Sequence, residues 1–243
     1  MELTILHLYP DAMSLYGEYA NVAILCRHLA ALGVQTSVQA AASGDAPDFG
    51  AADLIYMGAG TERKQKGVLA TADRDGPLLR AAADRGAVLL FTGNAMETLG
   101  ASVTDAKGTG WPGFALADFT SVETDRRTPG DVVALPTLWE TPVVGFMNKC
   151  STTSGITTPL FPSLQLGFGN DAEGGAEGYV SGNVFATHIT GPVLVRNPDF
   201  LDLIVRRLFH HKGWPLPEQL PVLPHEREAY TVTLRELQAR IGK

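Results

Sequence analysis

The sequence has little of what several protein classes require. Its two cysteines, Cys26 and Cys150, are too few for a disulfide framework or a zinc site. No spacing of metal-ligating residues is found either, so we expect no metal and no other cofactor. Positive charge is scarce, because 19 Lys and Arg against 26 Asp and Glu leave a net charge of −7. This balance argues against a nucleic-acid-binding protein.

Long apolar runs and targeting signals are also missing. No run of about 18 apolar residues occurs, so we predict no membrane span. The N-terminus has neither the basic region nor the cleavage site of a secretory signal peptide, so we expect no signal peptide. The low cysteine count fits a reducing compartment, and we expect a cytoplasmic protein. What the chain does have is a 45% hydrophobic content over 243 residues. That content suffices for one large core, or for one core with an appendage.

The first hundred residues alternate short apolar strands with helical patterns. The predicted strands are 3–8, 34–38, 53–57 and 87–92, and the predicted helices are 17–32, 62–69, 77–85 and 96–99. We place Pro77 at the start of the third of these helices. Strands that alternate with helices favour a mostly parallel central sheet flanked by helices. The sequence therefore predicts an α/β fold.

After residue 100 the pattern changes to short strands between turns rich in Gly, Pro, Ser and Thr. The predicted strands are 113–124, 131–135, 143–148, 164–168, 177–181 and 183–189. We expect them to form hairpins or mixed strands on one side of the sheet. A helix begins at Asn197-Pro198-Asp199 and ends at Gly213. We assign residues 1–213 to one domain, and 214–243 to a proline-rich arm and a final helix, 226–241, packed on it.

The stretch from Ala87 to Gly100 predicts a sharp turn at the top of the sheet. An apolar strand runs into Gly93-Asn94-Ala95 and then into a short helix, which is the shape of a nucleophile elbow. Gly93 and Ala95 supply the small neighbours that such a turn needs. Asn tolerates positive φ better than most residues, so we expect the strained, left-handed backbone at Asn94. An amide is not a usable nucleophile.

Several short motifs together resemble one enzyme family in their order and spacing. The motifs are His7-Leu8-Tyr9-Pro10-Asp11, Leu15-Tyr16-Gly17-Glu18 with Asn21-Val22, Gly58-Ala59-Gly60 with Glu62 and Gln65, Arg127 with Gly130-Asp131, Gly145-Phe146 with Asn148, and Thr187 with Gly191-Pro192 and Asn197-Pro198. They resemble the class I glutamine amidotransferase domains of the cobyric-acid-synthase type. Within these, the chain is most similar to the glutaminase subunit of lipid II isoglutaminyl synthase. The resemblance runs nearly end to end and implies a flavodoxin-like fold.

The resemblance also implies a chemistry and a partner. In that family an elbow cysteine attacks the side-chain amide of glutamine, a histidine serves as base, and ammonia passes to a Mur-ligase-like subunit. Here the cysteine position carries Asn94 and the histidine position carries Thr190. Loss of nucleophile or base typically removes about 10⁴- to 10⁶-fold in rate. We therefore expect a degenerate glutaminase centre in a partner subunit that serves cell-wall precursor amidation.

The same resemblance implies a site for a small ligand such as glutamine. Its residues would be Gly58, Gly60, Ala95, Arg127, Asn148 and His188. Glycines let the backbone approach a ligand closely, and the planar fork of an arginine suits a carboxylate. Each residue also has a plainer interpretation, as part of a turn, a solvated charged run or a half-buried strand.

Two other functions stay open at this point. The first is an active glutaminase or amidase with relocated residues, in which Cys150 is the nucleophile and His188 the base. It requires the two side chains to lie within a few ångströms of each other beside the elbow. The second is a stand-alone module that binds an amino acid without any partner.

Overall fold

A computed structural model describes residues 1–171, 175–218, 220–223 and 225–241. The strands are β1 (Glu2–Leu8), β2 (Gln35–Ala41), β3 (Leu54–Met57), β4 (Val88–Thr92), β5 (Ser102–Thr104), β6 (Gly110–Pro112), β7 (Thr120–Leu135), β8 (Val143–Ser154), β9 (Ser163–Leu166), β10 (Tyr179–Ser181), β11 (Val184–Thr187) and β12 (Ile189–Thr190). The helices are α1 (Tyr19–Ala31), α2 (Glu62–Leu69), α3 (Ala72–Asp84), α4 (Ala95–Thr98), α5 (Val193–Arg196), α6 (Pro198–His211) and α7 (Glu226–Gln238).

The first sheet confirms the predicted α/β architecture. Its strand order is β10-β11-β4-β3-β1-β2, and every pair except β10 with β11 is parallel. The parallel part, read as β2-β1-β3-β4-β11, has the order of flavodoxin-like folds. Strands β3, β4 and β11 are buried on both faces, as expected where helices cover a parallel sheet, whereas the edge strand β2 is largely exposed.

Most of the later strands form a second sheet of antiparallel and parallel pairs, which confirms the predicted hairpins and mixed strands. This sheet has the order β12-β8-β7-β5-β6, with β9 paired to β7. Its centre is the antiparallel pair β7 and β8, whose register shifts between Glu123 and Thr128. The predicted strand 183–189 is split between β11 in the first sheet and β12 in the second. Residues 187–190 therefore connect the two sheets.

Two predicted elements were wrong because distant contacts determine them. Residues 113–119 are not a strand, since the N–H groups of residues 113–117 bond to carbonyls of residues 98–101 at the end of α4. Helix α3 begins at Ala72, so Pro77 lies inside it and not at its start. The extra first turn contains Asp75, which is buried and bonds to Arg74 and to the hydroxyl of Tyr9.

The C-terminal helix packs on the second sheet. Leu237 of α7 is buried against Val133 and Val144, and the hydroxyl of Tyr230 donates to the backbone oxygen of Pro142 at 2.8 Å. The helix ends at Gln238, three residues before the predicted Ile241. Residues 219, 224, 242 and 243 of the predicted arm and helix lie outside the described residues. None of the helices in the described part of the chain has the length and apolarity to cross a membrane.

Candidate functional site at the sheet edge

A cavity of about 150 Å³ opens where the carboxyl ends of three parallel strands meet the second sheet. Strands β3, β4 and β11 end side by side, with Met57 opposite Phe91 and Thr187 opposite Thr92. The loops after these strands line the cavity, and β7 and β8 close its other wall. Ligands of open α/β sheets bind outside the carboxyl ends of the strands, so the cavity lies where a site is expected.

The turn after β4 differs from the predicted elbow by one residue. The left-handed backbone is at Gly93, with φ +61°, whereas Asn94 has φ −70° and ψ −3°. The expected positive φ at Asn94 was therefore wrong. Glycine adopts positive φ without steric cost, so the chain reverses at Gly93 and Asn94 stands directly before α4 with helical backbone angles.

Asn94 joins the loop after β3 to the turn after β4. Its Oδ1 accepts a hydrogen bond from the backbone N–H of Gly60 at 2.9 Å, and its backbone oxygen accepts one from Nε2 of Gln65 at 2.7 Å. Its Nδ2 is buried and has no hydrogen-bond partner among the described residues. Asn94 lines the cavity, so this amide donor can serve a ligand.

The glycines of the loop after β3 are required by packing. A Cβ on Gly58 would lie 2.7 Å from Cβ of Glu18, and one on Gly60 would lie 2.4 Å from Sδ of Met13. Gly60 lines the cavity, but its N–H is engaged by Asn94. Gly58 packs behind it, and Ala95 is buried in the apolar core. Of these three predicted ligand-binding residues, the structure places Gly60 at the cavity.

Thr190 lies beside the turn and serves a buried carboxylate. Its hydroxyl donates to Oε1 of Glu18 at 3.1 Å, and the N–H of Gly191 donates to the same oxygen at 2.9 Å. Burial raises the pKa of Glu18, although hydrogen bonds from Thr92, Tyr56 and these two groups oppose the rise. Thr190 is thus a hydrogen-bond donor with no basic nitrogen to offer.

Arg127 reaches the cavity as part of an ion pair. Its Nη2 bonds to Oε1 of Glu62, and its Nη1 donates to the backbone oxygen of Asn148 at 3.2 Å. Partial burial raises the pKa of Glu62, but hydrogen bonds, chiefly from Arg127, lower it below its ordinary value. The side-chain amide of Asn148 donates to the hydroxyl of Tyr16 at 2.9 Å. At this part of the wall the Arg127 guanidinium and the Glu62 carboxylate therefore lie side by side.

Cys150 is held as a protonated thiol. Its Sγ donates to Oε1 of Glu62 at 3.4 Å. Burial, followed by the negative charge of Glu62 and this hydrogen bond, raises the pKa of Cys150 from 9.0 to about 12. The thiolate, which is the nucleophilic form, is therefore strongly disfavoured at neutral pH.

His188 is buried and bonded to other residues than Cys150. Its Nδ1 lies 3.2 Å from Oε1 of Glu177, and its backbone N–H donates to the same oxygen at 2.6 Å. Its Nε2 lies 3.4 Å from Oγ1 of Thr153 and 3.7 Å from Oε1 of Glu97. Within the described ranges it forms no hydrogen bond with Cys150, so the structure does not assemble the relocated pair.

Sequence reasoning missed several polar residues that line the cavity, among them Glu97, Lys149 and Ser151. Glu97 is 2% exposed and accepts hydrogen bonds from Nε2 of Gln65 and from the hydroxyl of Ser151. Lys149 is 8% exposed and donates to backbone oxygens of residues 169 and 170. Burial lowers the pKa of Lys149, and nearby carboxylates oppose the change. The available signal was position, since Glu97 lies in the elbow helix and Lys149 and Ser151 flank Cys150.

Comparisons with known proteins agree with this geometry. Two curated relatives are lipid II isoglutaminyl synthase (glutamine-hydrolyzing) subunits GatD. The one from Staphylococcus aureus is 28% identical over 220 residues, which cover 88% of this chain and 87% of the relative. The one from Streptococcus pneumoniae is 29% identical over 204 residues, which cover 81% and 76%.

A solved structure and a family comparison complete the assignment. The crystal structure of a glutamine amidotransferase shares the fold, with a TM-score of 0.53 at 11% identity over 86% of this chain and 98% of the other. Residues 4–198 match the CobB/CobQ-like glutamine amidotransferase domain, from β1 through the site to the start of α6. The chain therefore belongs to the CobB/CobQ-like glutamine amidotransferase family.

Proposed function

We propose that this protein is the glutamine-amidotransferase-like subunit of a Mur-ligase-type amide ligase that amidates a cell-wall precursor, and that its own centre does not hydrolyse glutamine. One observation carries the proposal. The site keeps the elbow and the cavity, but Gly93, Asn94 and Thr190 supply neither a nucleophile nor a base. The relatives named as subunits of lipid II isoglutaminyl synthases support the subunit role.

The missing groups correspond to defined steps of amide hydrolysis. A thiolate must attack the amide carbon to form a C–S bond, and a base must return a proton to the nitrogen so that ammonia leaves. Water then breaks the C–S bond and releases the acid. The Thr190 hydroxyl donates to Glu18 and cannot take up the thiol proton. The amide of Asn94 cannot form the covalent intermediate.

The cavity has the charges to hold a free amino acid. The Arg127 guanidinium suits an α-carboxylate, and the Glu62 carboxylate beside it suits an α-ammonium group. Asn94 Nδ2 offers a donor to a side-chain carbonyl, and Asn148 and His188 complete the polar wall. We propose glutamine or a related amino acid as the ligand, bound without turnover.

The unpaired amide of Asn94 also favours a second candidate function, a stand-alone amino-acid-binding module. A buried donor without a partner costs about 1–3 kcal/mol, which a ligand oxygen would recover. The two functions differ in whether a ligase subunit is needed. The contacts of Cys150 and His188 argue against the third candidate, an active enzyme with relocated residues.

The subunit proposal is tested by asking which nitrogen source, ammonium or glutamine, supports amidation by the assembled complex. The protein would be co-expressed with a Mur-ligase-type protein from the same genome, and ATP-dependent amidation by the purified complex would be measured. We expect amidation with ammonium chloride and none with glutamine. If the two proteins do not co-purify, the subunit role is wrong. Equal amidation with glutamine would show that the centre is active.

Calorimetry with glutamine tests the amino-acid site. We expect Arg127→Gln to weaken binding about 10- to 100-fold, the range for a lost hydrogen bond to a charged group. Arg126→Gln is the matched control, because Arg126 lines a different pocket and should leave the affinity unchanged. Absence of binding to the wild-type protein would contradict the ligand proposal. Tight binding by a protein that forms no ligase complex would favour the stand-alone module.

A further inference from the structure

The backbone of the turn identifies Gly93, one residue before Asn94, as the tip of the elbow. In a nucleophile elbow the reactive residue occupies the sharp, strained position between strand and helix. Gly93 has the left-handed backbone, with φ +61°, and it lines the cavity. A side chain at position 93 would therefore be the one presented to a ligand.

The space for such a side chain is occupied by Ala59. A Cβ built on Gly93 would lie 2.5 Å from Cβ and 3.2 Å from Cα of Ala59. Carbon atoms in van der Waals contact are about 3.5–4.0 Å apart, so the two groups cannot coexist without movement. Ala59 is held in place, because its carbonyl accepts a hydrogen bond from the N–H of Leu15 at 2.9 Å.

One of the two backbone donors that an oxyanion would need is occupied as well. In elbow enzymes the oxyanion hole uses the N–H of the residue after the nucleophile and an N–H from a neighbouring strand-to-helix loop. Here the loop after β3 offers the N–H of Gly60, and the side-chain oxygen of Asn94 accepts it at 2.9 Å. Asn94 thus engages one of the two donors that an oxyanion would need.

We propose that Ala59 and Asn94 form a two-part plug that closes the elbow to covalent chemistry. Ala59 excludes a side chain from position 93, and Asn94 occupies one oxyanion donor, the N–H of Gly60. The cavity then admits ligands by non-covalent binding alone. The inference deepens the proposed function and rests on its inactive centre.

A double-mutant cycle between Gly93→Ala and Ala59→Gly tests the steric half. Overpacking and positive φ together should make Gly93→Ala lower the melting temperature by roughly 2–12 °C. We expect at least about half of that loss to vanish when residue 59 is already Gly. The strain of positive φ at position 93 is the same whether residue 59 is Ala or Gly. The cycle therefore isolates the contact between the side chains at positions 93 and 59. If the losses in melting temperature of the two single variants simply add, the claim that Ala59 excludes a side chain from position 93 is overturned.

Gly86→Ala is the matched control for backbone strain. Gly86 has φ +89°, but a Cβ there would meet only Nδ1 of His211 at 3.4 Å. Its cost should be the same with Ala or Gly at position 59. If Gly93→Ala fails to fold, the sharper expectation is that Gly93→Ala/Ala59→Gly folds. Failure of both would contradict the plug.

Hydrogen exchange of the Gly60 amide tests the second half. Asn94→Gly should remove the acceptor and abolish the protection of this amide, whereas Asn94→Asp should keep it. Unchanged protection in Asn94→Gly would overturn the role of Asn94. Glutamine hydrolysis by the wild-type protein separates the two proposals. If the wild-type protein hydrolyses glutamine and the losses of Gly93→Ala and Ala59→Gly are coupled, the proposed function is contradicted. If the protein is inactive and the two losses are additive, only the plug is contradicted.

Discussion

The protonated state of Cys150 gives a quantitative prediction about its reactivity. A shift of the pKa from 9.0 to about 12 lowers the thiolate fraction at pH 8 about 10³-fold. A thiolate of higher pKa is intrinsically more nucleophilic, and this raises its rate of reaction about 16- to 30-fold, which offsets part of the lower thiolate fraction. We therefore expect native Cys150 to react with an aromatic disulfide about 30- to 60-fold more slowly than the same thiol in urea.

Chemical labelling of a Cys26→Ser protein measures this rate for Cys150 alone. The rate should rise about tenfold per pH unit up to pH 10 without a plateau, which separates a high pKa from poor access. Glu62→Gln should speed the reaction, because the carboxylate that opposes ionisation is gone. Glu123→Gln is the control and should have a smaller effect. A plateau below pH 8 would refute the reasoning and revive Cys150 as a nucleophile.

Three further predictions concern stability. Burial lowers the pKa of His7 from 6.5 to about 4, so the unfolded chain takes up the proton first and stability is lost as pH falls from about 6.5 to 4. Urea titrations at pH 4 and pH 7 measure the free energy of unfolding at each pH. In His7→Leu the decrease from pH 7 to pH 4 should be smaller by about 3 kcal/mol. Asn94→Ala should cost about 1–3 kcal/mol by leaving the Gly60 N–H unpaired, and Asn94→Asp less, as thermal unfolding will show. Leu237→Ala should cost about 2–5 kcal/mol within a single unfolding transition, and a separate early transition would contradict packing of the final helix on the same domain.

The parts of the fold set by local periodicity were predictable from sequence. The helix predicted over 62–69 is α2, and the four N-terminal strands lie within a few residues of their predicted bounds. The stretch 113–119 was not predictable, because its N–H groups bond to the end of α4 and not to a neighbouring strand. An apolar pattern alone does not distinguish these partners.

The site shows the same division between local and distant effects. The turn after β4 was predictable, but its tip was not, because Gly93 and Asn94 both tolerate positive φ and only the chain path selects between them. The bond between Ser151 and Glu97 joins residues 54 positions apart. No motif in the sequence indicates such a pair.

The central claim is that a glutamine amidotransferase scaffold has lost its hydrolytic centre. The most direct measurement is ammonia release from glutamine by the purified protein, alone and with the proposed ligase subunit. We predict no release above the spontaneous rate in either state. Turnover by the wild-type protein that Cys150→Ser abolishes would contradict the account.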